Sequence, residues 1–593
     1  MKAHYTLSSF LICLLLSANL NAQEVVNGGF ELSNPQGMAR NWITDDANGK
    51  LRIGLTKNQF RSGKASLELG GTSVGEKPDG IGIAANLYGS SSATRVKSIR
   101  LSGWAKSSGK LDSVSLFVQN GAKIIRVKGT SSSRKGWNKL VLTYNIPDTE
   151  SWYRFYYGIE LNSNQLVWLD DLALSVNGKK IQDPISLYRE PKARELAWLS
   201  RNISPVQLVA AGKPDGNLSL IGKAIGSARI IGVGEPTHGT SEVSRLKLSL
   251  LEYMVEHKGF TTLALEESIA SCDQMNRLLN TENPALKDSL TNMPFYKLWK
   301  TREMLEMLVW VNQYNLSHQK KIKFIGIDSE DLGMKSSRRM LRDYGERNSM
   351  DIYLQTRTVD KSLDSLILLS RSSMDNEKTI GAANQLKRNL ERLDSLVLVE
   401  ANHAGRQTAF ELSSYVRVCR QWVDTRFFRG NRDQFMAENI NSYLEANPDE
   451  KIFLWAHNFH AANVNKGGQR TMGGFLKEKY GDGYFPLSIT LGAGTYMAAA
   501  DPSQKSWKSY KLEQPYLGTY EYIFSKMLPG NYFLDLSTAK GSAASWLEIP
   551  MKQLDLGYIY AGEEHYQYHG VLGQSFDGVL FIRNSAASHS LIN

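Results

Sequence analysis

Six residues that can transfer a proton or carry a charge each follow the end of an apolar segment. In chain order they are Glu235 and His238 after Ile230–Gly234, Glu266 after Thr262–Leu265, Asp328 after Ile322–Ile327, and His457 and His460 after Ile452–Ala456. Imidazole has an ordinary pKa of about 6.5, so it can accept a proton from water near neutral pH. Carboxylates and imidazoles that face one crevice would therefore suit hydrolysis by an activated water molecule.

These residues can meet only if their segments are neighbouring strands. From about Ser186 onward, segments rich in Ile, Val and Leu alternate with longer helical stretches, which predicts βα units and a mainly parallel sheet. The clearest helix is Ser241–His257, which a Lys-Gly pair ends. Ligands bind beyond the carboxyl ends of parallel strands, so we expect the acids and bases to converge there. Residues 335–445 are predicted to form a helical insertion that shapes the pocket.

The turn Gly232-Val-Gly-Glu-Pro-Thr-His-Gly239 is the strongest single candidate. Its glycines permit close backbone approach, and the following helix begins with free N–H groups that favour an oxyanion. We predict that His238 is the general base and that Glu235 or Glu266 fixes its tautomer. A serine nucleophile is not favoured, because the sequence has no Gly-x-Ser-x-Gly motif between a strand and a helix.

Four other polar residues allow more than one interpretation. Asp328 either faces the pocket or caps a helix. His460 forms a His-x-x-His pair with His457, and such a pair can bind a metal, donate to a substrate or be satisfied by neighbouring backbone. Arg432 and Asp433 are predicted to form a structural ion pair rather than to act in catalysis.

Glu242 supports an alternative in which hydrolysis depends on a metal ion. It lies four residues after His238, so on a helix the two side chains would share a face. With Glu266 and His457 they would form a site of mixed nitrogen and oxygen ligands. We expect instead that no metal is required and that Glu242 contributes to substrate binding.

Several stretches of the chain resemble the erythromycin esterase family. They are Gly234–Glu242, Lys247–His257, Gly259–Glu266, Gly326–Asp328, Asn431–Asn439, Trp455–His460, Gly492–Tyr496, Phe533–Leu536 and Ser575–Phe581, in the order found in that family. The resemblance covers about residues 195–585. It implies an α/β domain that hydrolyses an ester or lactone with activated water and without a required metal.

The resemblance also implies roles for particular residues. The family's catalytic positions correspond to His238 as general base, to Glu235 and Glu266 as carboxylates that orient or polarise it, and to His457 as a second histidine of the site. The family also uses a basic residue, often Arg, in the helix after the first motif. The matching substrate-binding position here is Lys247, with Arg245 as an alternative. A lysine is a point charge where arginine is a bidentate fork, so the substrate geometry would differ.

Residues 24–180 show short alternating segments separated by turn-rich stretches, which predicts an all-β sandwich. Val25–Glu31 at the start and Val167–Leu174 at the end resemble the jelly-roll carbohydrate-binding modules related to galactose-binding domains. The resemblance implies a glycan ligand and a structural calcium ion held by Glu31 and Asp171. The alternative is a plain spacer that binds nothing.

One strand-like run of this region is rich in aromatic residues. Trp152, Tyr153, Tyr156 and Tyr157 present flat rings that suit stacking on sugars. Alternation along a strand would place about half of them in the core, and the sequence does not distinguish the two halves.

The N-terminus has the composition of an export signal. Lys2 precedes the apolar run Leu7–Leu16, and small residues precede a cut after Ala22, which predicts a signal peptide over residues 1–22. The run is too short to span a bilayer with ease, and no other segment of the sequence is long enough. We therefore predict an exported protein, periplasmic or extracellular, without a membrane span.

The remaining composition excludes other classes. The formal charge is +11, but the basic residues are scattered among 59 acidic ones, so we do not expect a nucleic-acid partner. After signal cleavage only Cys272 and Cys419 remain, which allows one disulfide but no zinc pattern.

These features together predict a multidomain protein with a β-sandwich over 24–180 and an α/β hydrolase domain over 186–593. The expected substrate is a small ester or lactone, either a macrolide or an esterified glycan. Two rivals remain open: a metal-dependent hydrolase, and a non-catalytic protein whose polar crevice binds haem, a metal or a glycan.

Overall fold

The computed structural model of this chain describes most residues between Asn27 and Ile592. Residues outside the description are 1–26, 35–36, 41, 47–50, 72–81, 90–94, 110, 130–135, 163–164, 182, 184–187, 208–216, 283–284, 331–333, 372–375, 466–469, 502–503, 505, 528–529, 561–564, 568–570 and 593. The predicted signal peptide therefore lies outside the described residues. The described residues divide into two compact units: the first runs to Arg189, and the second begins at Glu190.

The first unit is built from two antiparallel sheets. Its strands are β1 Ile43–Asp46, β2 Leu51–Thr56, β3 Ser66–Gly71, β4 Gly82–Gly89, β5 Ser98–Ser107, β6 Val114–Asn120, β7 Lys123–Lys128, β8 Asn138–Asn145, β9 Arg154–Leu161, β10 Val167–Val176 and β11 Lys179–Lys180. One sheet has the order β1-β4-β9-β6-β7, and the other has the order β2-β3-β10-β5-β8, with β11 paired to β10. Alternate side chains from both sheets, such as Leu101 and Ile159, are buried in one apolar core.

Most of the aromatic run 152–157 belongs to this core. Trp152, Tyr156 and Tyr157 are buried, whereas Tyr153 is 46% exposed. Tyr157 packs edge-on against Trp42, with 6.0 Å between the ring centroids. Of the four rings considered for sugar stacking, only Tyr153 is therefore accessible.

The second unit contains a nine-stranded sheet and a separate short pair. Its strands are β12 Ile203–Val206, β13 Ile230–Val233, β14 Thr262–Ser268, β15 Lys323–Asp328, β16 Ile452–Trp455, β17 Tyr484–Ala499, β18 Trp507–Lys511, β19 Asn531–Asp535, β20 Gln553–Leu554, β21 Tyr566–Gln567 and β22 Gly578–Ser585. The sheet order is β12-β19-β22-β17-β13-β16-β14-β15, with β18 paired to β17 and β20 to β21. The pairings that join β22, β17, β13, β16, β14 and β15 are parallel, and those of β12, β18 and β19 are antiparallel.

The central parallel strands are buried on both faces. Every residue of β13, β14 and β16 is buried, which explains their continuous Ile, Val and Leu runs in place of alternation. Because β16 lies between β13 and β14, and β15 follows β14, four carboxyl ends lie side by side at one edge of the sheet.

Helices connect and cover these strands. They are α1 Ala193–Asn202, α2 Leu218–Ile225, α3 Ser241–Lys258, α4 Ile269–Leu279, α5 Leu286–Asn292, α6 Arg302–Ser317, α7 Lys335–Asn348, α8 Met350–Ser370, α9 Glu377–Ala404, α10 Arg406–Phe427, α11 Arg432–Ala446, α12 Asn458–Ala461, α13 Met472–Tyr480, α14 Tyr520–Ser525 and α15 Leu572–Ser575. Helices α7 to α11 occupy the region predicted as a helical insertion. Helix α3 ends at Gly259, whose φ of 74° is left-handed and suits glycine. Within the described part of the chain, no helix combines the length and apolarity needed to cross a membrane.

Cys272 and Cys419 are both buried free thiols, so the disulfide that the sequence allowed between them is not formed. The reason is their placement in different clusters. Cys272 on α4 packs in the core beside the sheet, whereas Cys419 on α10 packs among the helices of the insertion.

Candidate active site

Neighbouring strand ends bring the predicted residues to one edge of the sheet. Glu235 and His457 lie just after the ends of β13 and β16, and Asp328 is the last residue of β15. Glu266 lies inside β14, two residues before its end at Ser268, where the pairing with β15 shifts its register. The loop after β16 packs closely on the loop after β13, because a Cβ on Gly234 would lie 2.1 Å from Oδ1 of Asn458. The backbone N–H of Asn458 also donates to the carbonyl of Glu235 at 2.8 Å. This close approach places the segment that carries His238 against the segment that carries His457.

Glu235 holds His238 in a defined orientation. Its Oε1 lies 2.7 Å from Nδ1 of His238, and its Oε2 accepts from Nζ of Lys247 at 3.0 Å and from the indole N–H of Trp455 at 2.7 Å. Because a carboxylate can only accept, Nδ1 carries the proton of the neutral imidazole, and Nε2 is left with the lone pair. Lys247 is fully buried, and its ammonium lies 4.5 Å from the ring centroid of Trp455.

The charges of this group strengthen the base. Burial would raise the pKa of Glu235, but Lys247 and His238 outweigh it and hold that pKa at about 2. Burial would likewise lower the pKa of His238, but the hydrogen bond to Glu235 and the charges of Glu235 and Glu266 raise it. Burial lowers the pKa of Lys247 to about 8, although both carboxylates oppose the shift. An anionic Glu235 therefore supports His238 as a stronger base than a solvated imidazole.

A second network surrounds Glu266. Nη2 of Arg432 donates to Glu266 at 2.8 Å and to Asp328 at 2.7 Å, and Nε of Arg432 donates to Asp328 at 2.8 Å. The backbone N–H of His457 donates to the other oxygen of Glu266 at 3.3 Å. Burial would raise the pKa of Glu266, but the neighbouring His460 and Arg432 lower it well below its ordinary value. Glu266 therefore stays ionised, and Arg432 fixes its position.

His460 contacts protein groups through both ring nitrogens. Its Nδ1 lies 2.8 Å from Oδ1 of Asp433, and its Nε2 lies 3.1 Å from Nη1 of Arg432. The same oxygen of Asp433 accepts the backbone N–H of Met472 at 2.8 Å. His460 is therefore placed to hold Arg432 rather than to meet a substrate directly.

His457 is also engaged on both sides. Its Nε2 lies 3.1 Å from the carbonyl oxygen of Leu556 and 3.2 Å from Oδ1 of Asp555, and its Nδ1 accepts the N–H of Phe459 at 3.4 Å. Burial lowers the pKa of His457 below its ordinary value. Its ring centroid lies 5.2 Å from that of His238. A neutral His457 therefore lines the site with Nε2–H bound to segment 555–556.

Among the three histidines of this cluster, His238 alone keeps a ring nitrogen without a hydrogen-bond partner in the described part of the chain. That atom is Nε2, and 9% of the His238 side chain is exposed. A base needs contact with one water molecule while bulk solvent is excluded. The geometry therefore favours His238 as the proton acceptor.

Glu242 lies apart from the other predicted site residues. Its Oε2 accepts from the hydroxyl of Ser585 and the N–H of Ala586, both at 2.6 Å, so it contacts no member of the cluster. The expected shared face with His238 does not exist, because α3 begins at Ser241 and His238 precedes the helix. Among the described residues, no group of three or more His, Cys, Asp or Glu is placed to hold a metal. The structure therefore does not place Glu242 on a face shared with His238, and its roles in metal or substrate binding stay predictions.

Two other predicted substrate-binding residues have different neighbours. The side chain of Arg245 is 44% exposed and lies 3.6 Å from Glu306, so the basic residue of α3 that reaches the cluster is Lys247. Asp328 is fully buried, and both of its oxygens accept from Arg432. It orients that arginine and is not open to a substrate.

Three groups of the site were not predicted from the sequence. Arg432 was expected to pair with Asp433 but pairs with the two site carboxylates. Trp455 has the pattern of a core strand residue, and its position two residues before His457 is the only signal of its role. Segment 555–556 carries no signal that would have identified it.

The calcium prediction concerns the first unit, where both carboxylates contact one loop. Glu31 accepts the backbone N–H of Lys64 at 2.9 and 3.0 Å. Asp171 accepts the hydroxyl of Ser62 at 2.6 Å and pairs with Arg61. A calcium ion bound by Glu31 and Asp171 stays a prediction.

A buried carboxyl binds the backbone that precedes segment 555–556. Glu521 accepts the backbone N–H of Leu554 at 3.0 Å and the hydroxyl of Thr490 at 2.6 Å through its Oε1. Its Oε2 has no partner among the described residues. Burial raises the pKa of Glu521 to about 7, because these hydrogen bonds offset only part of the desolvation.

We expect Glu521→Gln to stabilise the protein at about pH 8 far more than at about pH 5. The folded state holds this proton up to a pKa of about 7, whereas the unfolded chain releases it near the ordinary value of 4.5. The folded state therefore binds more protons between these values, and its stability falls as the pH rises through this window. Glutamine does not titrate, so the variant does not lose this stability as the pH rises. Urea unfolding at both pH values measures the effect, and an equal gain at both would contradict the pKa shift.

Comparison with known proteins identifies the second unit. A sequence model of the erythromycin esterase family matches residues 255–585. The erythromycin esterases type I and type II of Escherichia coli are 24% and 23% identical to this chain, over 63% and 66% of it and 94% and 98% of their own lengths. A solved structure titled as a histidine-to-asparagine mutant of the erythromycin esterase EreC, in its open conformation, has a TM-score of 0.51 and 19% identity, and covers 66% of this chain and 99% of that one.

The fold and the site define an α/β protein with an acid–base centre at the carboxyl edge of its sheet. The chain belongs to the erythromycin esterase family. Glu266, Arg432 and His457 lie inside the matched range, whereas Glu235 and His238 precede it.

Proposed function

We propose that this protein hydrolyses a carboxylic ester or lactone and that His238 activates the attacking water. The observation that carries the proposal is the orientation of His238. Its Nδ1 is fixed by Glu235 at 2.7 Å, and its Nε2 has no partner in the described part of the chain. Membership of the erythromycin esterase family supports hydrolysis as the class of reaction.

The proposed reaction consumes one water molecule. Nε2 of His238 accepts a proton while the water oxygen forms a bond to the acyl carbon. Glu235 stabilises the resulting imidazolium, and buried Lys247 balances the charge of Glu235. As the bond between the acyl carbon and the leaving oxygen breaks, His238 returns the proton to that oxygen. A carboxylic acid and an alcohol are released, and the neutral imidazole is restored.

Glu266 and His457 have supporting roles in this proposal. The negative charge of Glu266 favours the imidazolium of His238 and so strengthens the base. Arg432 holds Glu266 in place through the contact at 2.8 Å. His457 can polarise the substrate carbonyl through Nε2–H, if the substrate oxygen replaces the carbonyl of Leu556.

We also propose the setting and the substrate class. The apolar segment Leu7–Leu16 and the small residues before Gln23 support export to the periplasm or the cell exterior. The names of the two Escherichia coli relatives support a macrolide lactone, and an esterified glycan is the other candidate. No required cofactor is part of the proposal.

The proposal is tested with the purified full chain and a panel of acyl esters, acylated sugars and macrolide lactones. Mass spectrometry of the products should show addition of one water molecule, with the label from ¹⁸O-water in the new carboxyl group. The intact protein, quenched during turnover, should carry no acyl group, because the water attacks directly. A stable acyl adduct, or no hydrolysis of any member of the panel between about pH 6 and pH 9, would refute the mechanism.

We expect Glu235→Gln to move the acidic limb of the pH profile of kcat/KM to lower pH. In the native protein the rate falls when His238 is protonated, and its raised pKa places that limb above about 6.5. Removing the charge of Glu235 lowers the pKa of His238, so the limb shifts down while the maximal rate also falls. Glu306→Gln is the matched control, because Glu306 is 38% exposed and pairs with Arg245. A limb that does not move would show that another group titrates.

A further inference from the structure

The positive charge of this protein is concentrated in its first unit. Residues 27–189 contain 22 Lys and Arg against 13 Asp and Glu, whereas residues 190–593 contain 47 against 45. The candidate active site lies in the second unit and does not account for this charge. The excess of basic residues in the β-sandwich therefore needs a separate explanation.

Two tryptophans lie on the face of one sheet that points away from the sandwich core. Alternation along β5 buries the odd-numbered residues and leaves Trp104 and Lys106 on the outer face. On β10, Trp168 is partly exposed between two buried neighbours. The strand register places Trp168 between Glu68 of β3 and Lys106 of β5, and it places Trp104 beside Lys139 of β8. We call these five residues the tryptophan face.

Cations lie over both indole rings. Cζ of Arg61 is 4.1 Å from the ring centroid of Trp104, and Nζ of Lys139 is 5.8 Å from the same centroid. Nζ of Lys106 is 5.8 Å from the ring centroid of Trp168. These distances are within reach of cation–π attraction, which holds the charges at the rings.

Two of these cations have no carboxylate partner within ion-pair distance in the described part of the chain. Arg61 pairs with Asp171, but Lys106 donates to the side-chain oxygen of Gln59 at 2.7 Å and Lys139 forms no ion pair. Unpaired ammonium groups that are fixed beside aromatic rings can bind an anion without first breaking an internal salt bridge.

We propose that the tryptophan face binds an anionic polysaccharide of the uronic acid type. Its carboxylates would pair with Lys106 and Lys139, and the apolar faces of its sugar rings would pack on Trp104 and Trp168. Glu68, which already accepts the indole N–H of Trp168 at 2.9 Å, can accept further hydrogen bonds from sugar hydroxyls.

Two carboxylates argue against a polynucleotide. Glu68, bound to Trp168, and Asp171, paired with Arg61, would repel a phosphate on every residue of such a chain, and a polynucleotide offers few hydroxyl donors in return. A uronic acid chain offers both carboxylates for the lysines and hydroxyl groups for the acids. The proposed polysaccharide site uses no residue of the hydrolytic cluster. Polysaccharide binding can therefore be refuted while the proposed hydrolysis stands, and hydrolysis can be refuted while polysaccharide binding stands.

Affinity electrophoresis of the full chain tests the proposal, with polygalacturonate, neutral dextran and single-stranded DNA as probes. We expect retardation by polygalacturonate and not by dextran, and weaker binding as salt rises. Lys106→Gln/Lys139→Gln should weaken polygalacturonate binding by about tenfold. The control is Lys97→Gln/Lys128→Gln, which removes two exposed lysines that do not belong to the tryptophan face. It lowers the net charge by the same amount, and it should bind polygalacturonate like the wild type.

Trp104→Ala and Trp168→Ala test the stacking contribution, and each should weaken binding by about threefold to tenfold. Thermal melting checks that the two tryptophan variants fold. If either of them unfolds, the lysine variants still test the proposed binding. His238→Asn should bind polygalacturonate like the wild type. Equal loss in both lysine pairs would overturn the proposal in favour of unspecific charge attraction. Equal binding of dextran, or tighter binding of DNA, would overturn the ligand class.

Discussion

Replacing His238 by Asn is expected to lower kcat/KM for ester hydrolysis by about 10²–10⁴-fold, the range that a positioned general base contributes. The asparagine side chain is polar but has no nitrogen that can accept a proton. Glu235 would keep Lys247 at 3.0 Å and Trp455 at 2.7 Å, so the fold should persist without the imidazole. Initial rates on the best ester of the panel, with thermal melting as a check on folding, measure the effect.

His257→Gln is the matched control for this variant. His257 lies on α3 with 54% of its side chain exposed, and its ion-pair partner is Glu256 at 3.9 Å. Losing that imidazole should leave kcat/KM unchanged. If His238→Asn turned over as fast as His257→Gln, the proton acceptor would have to be another group.

From the sequence alone, we could predict that the main site residues lie close together. Glu235, Glu266, Asp328 and His457 each follow an apolar run, and parallel strands in adjacent positions place such residues at one edge. The error at Glu242 came from treating His238 as part of the helix. A spacing of four residues implies a shared face only within one helix, and a turn separates these two residues.

Arg432 and Trp455 show what sequence spacing cannot supply. Arg432 and Asp433 are adjacent on a helix, where consecutive side chains point in different directions, so they serve different partners. The partners of Arg432 lie 166 and 104 residues away along the chain. Trp455 ends a fully buried strand, and only its hydrogen bond to Glu235 distinguishes it from a packing residue.

Strand prediction succeeded where side-chain patterns are strong. The segment Val167–Leu174, which closes the predicted sandwich, lies within β10, Val167–Val176, whose burial alternates over most of its length. Strand β4, Gly82–Gly89, was not predicted, because its small residues give little apolar contrast. Strand β17 continues to Ala499, well beyond the apolar run that ends at Leu491, because glycines at 492 and 494 interrupt that run without ending the pairing.

Lys247→Met is expected to lower the free energy of unfolding by about 3–5 kcal/mol, because it leaves a buried carboxylate without its cation. Lys247 is fully buried, and Glu235 is 2% exposed. Glu235 would keep hydrogen bonds from His238 and Trp455 but would lose the ammonium at 3.0 Å. Methionine has a similar length and can still pack against Trp455, so the loss reports mainly on charge. Urea unfolding near neutral pH measures the difference.

The double variant Glu235→Gln/Lys247→Met isolates the ion pair. Removing both charges leaves neither one buried alone, so most of the stability lost in Lys247→Met should return. Arg245→Met is the control, because it removes an exposed pair on the same helix and should cost about 0–1 kcal/mol. A double variant no more stable than Lys247→Met would mean that Glu235 is not the partner that makes the lysine necessary. Recovered stability without recovered turnover would separate the two roles of Glu235, which are to neutralise Lys247 and to orient His238.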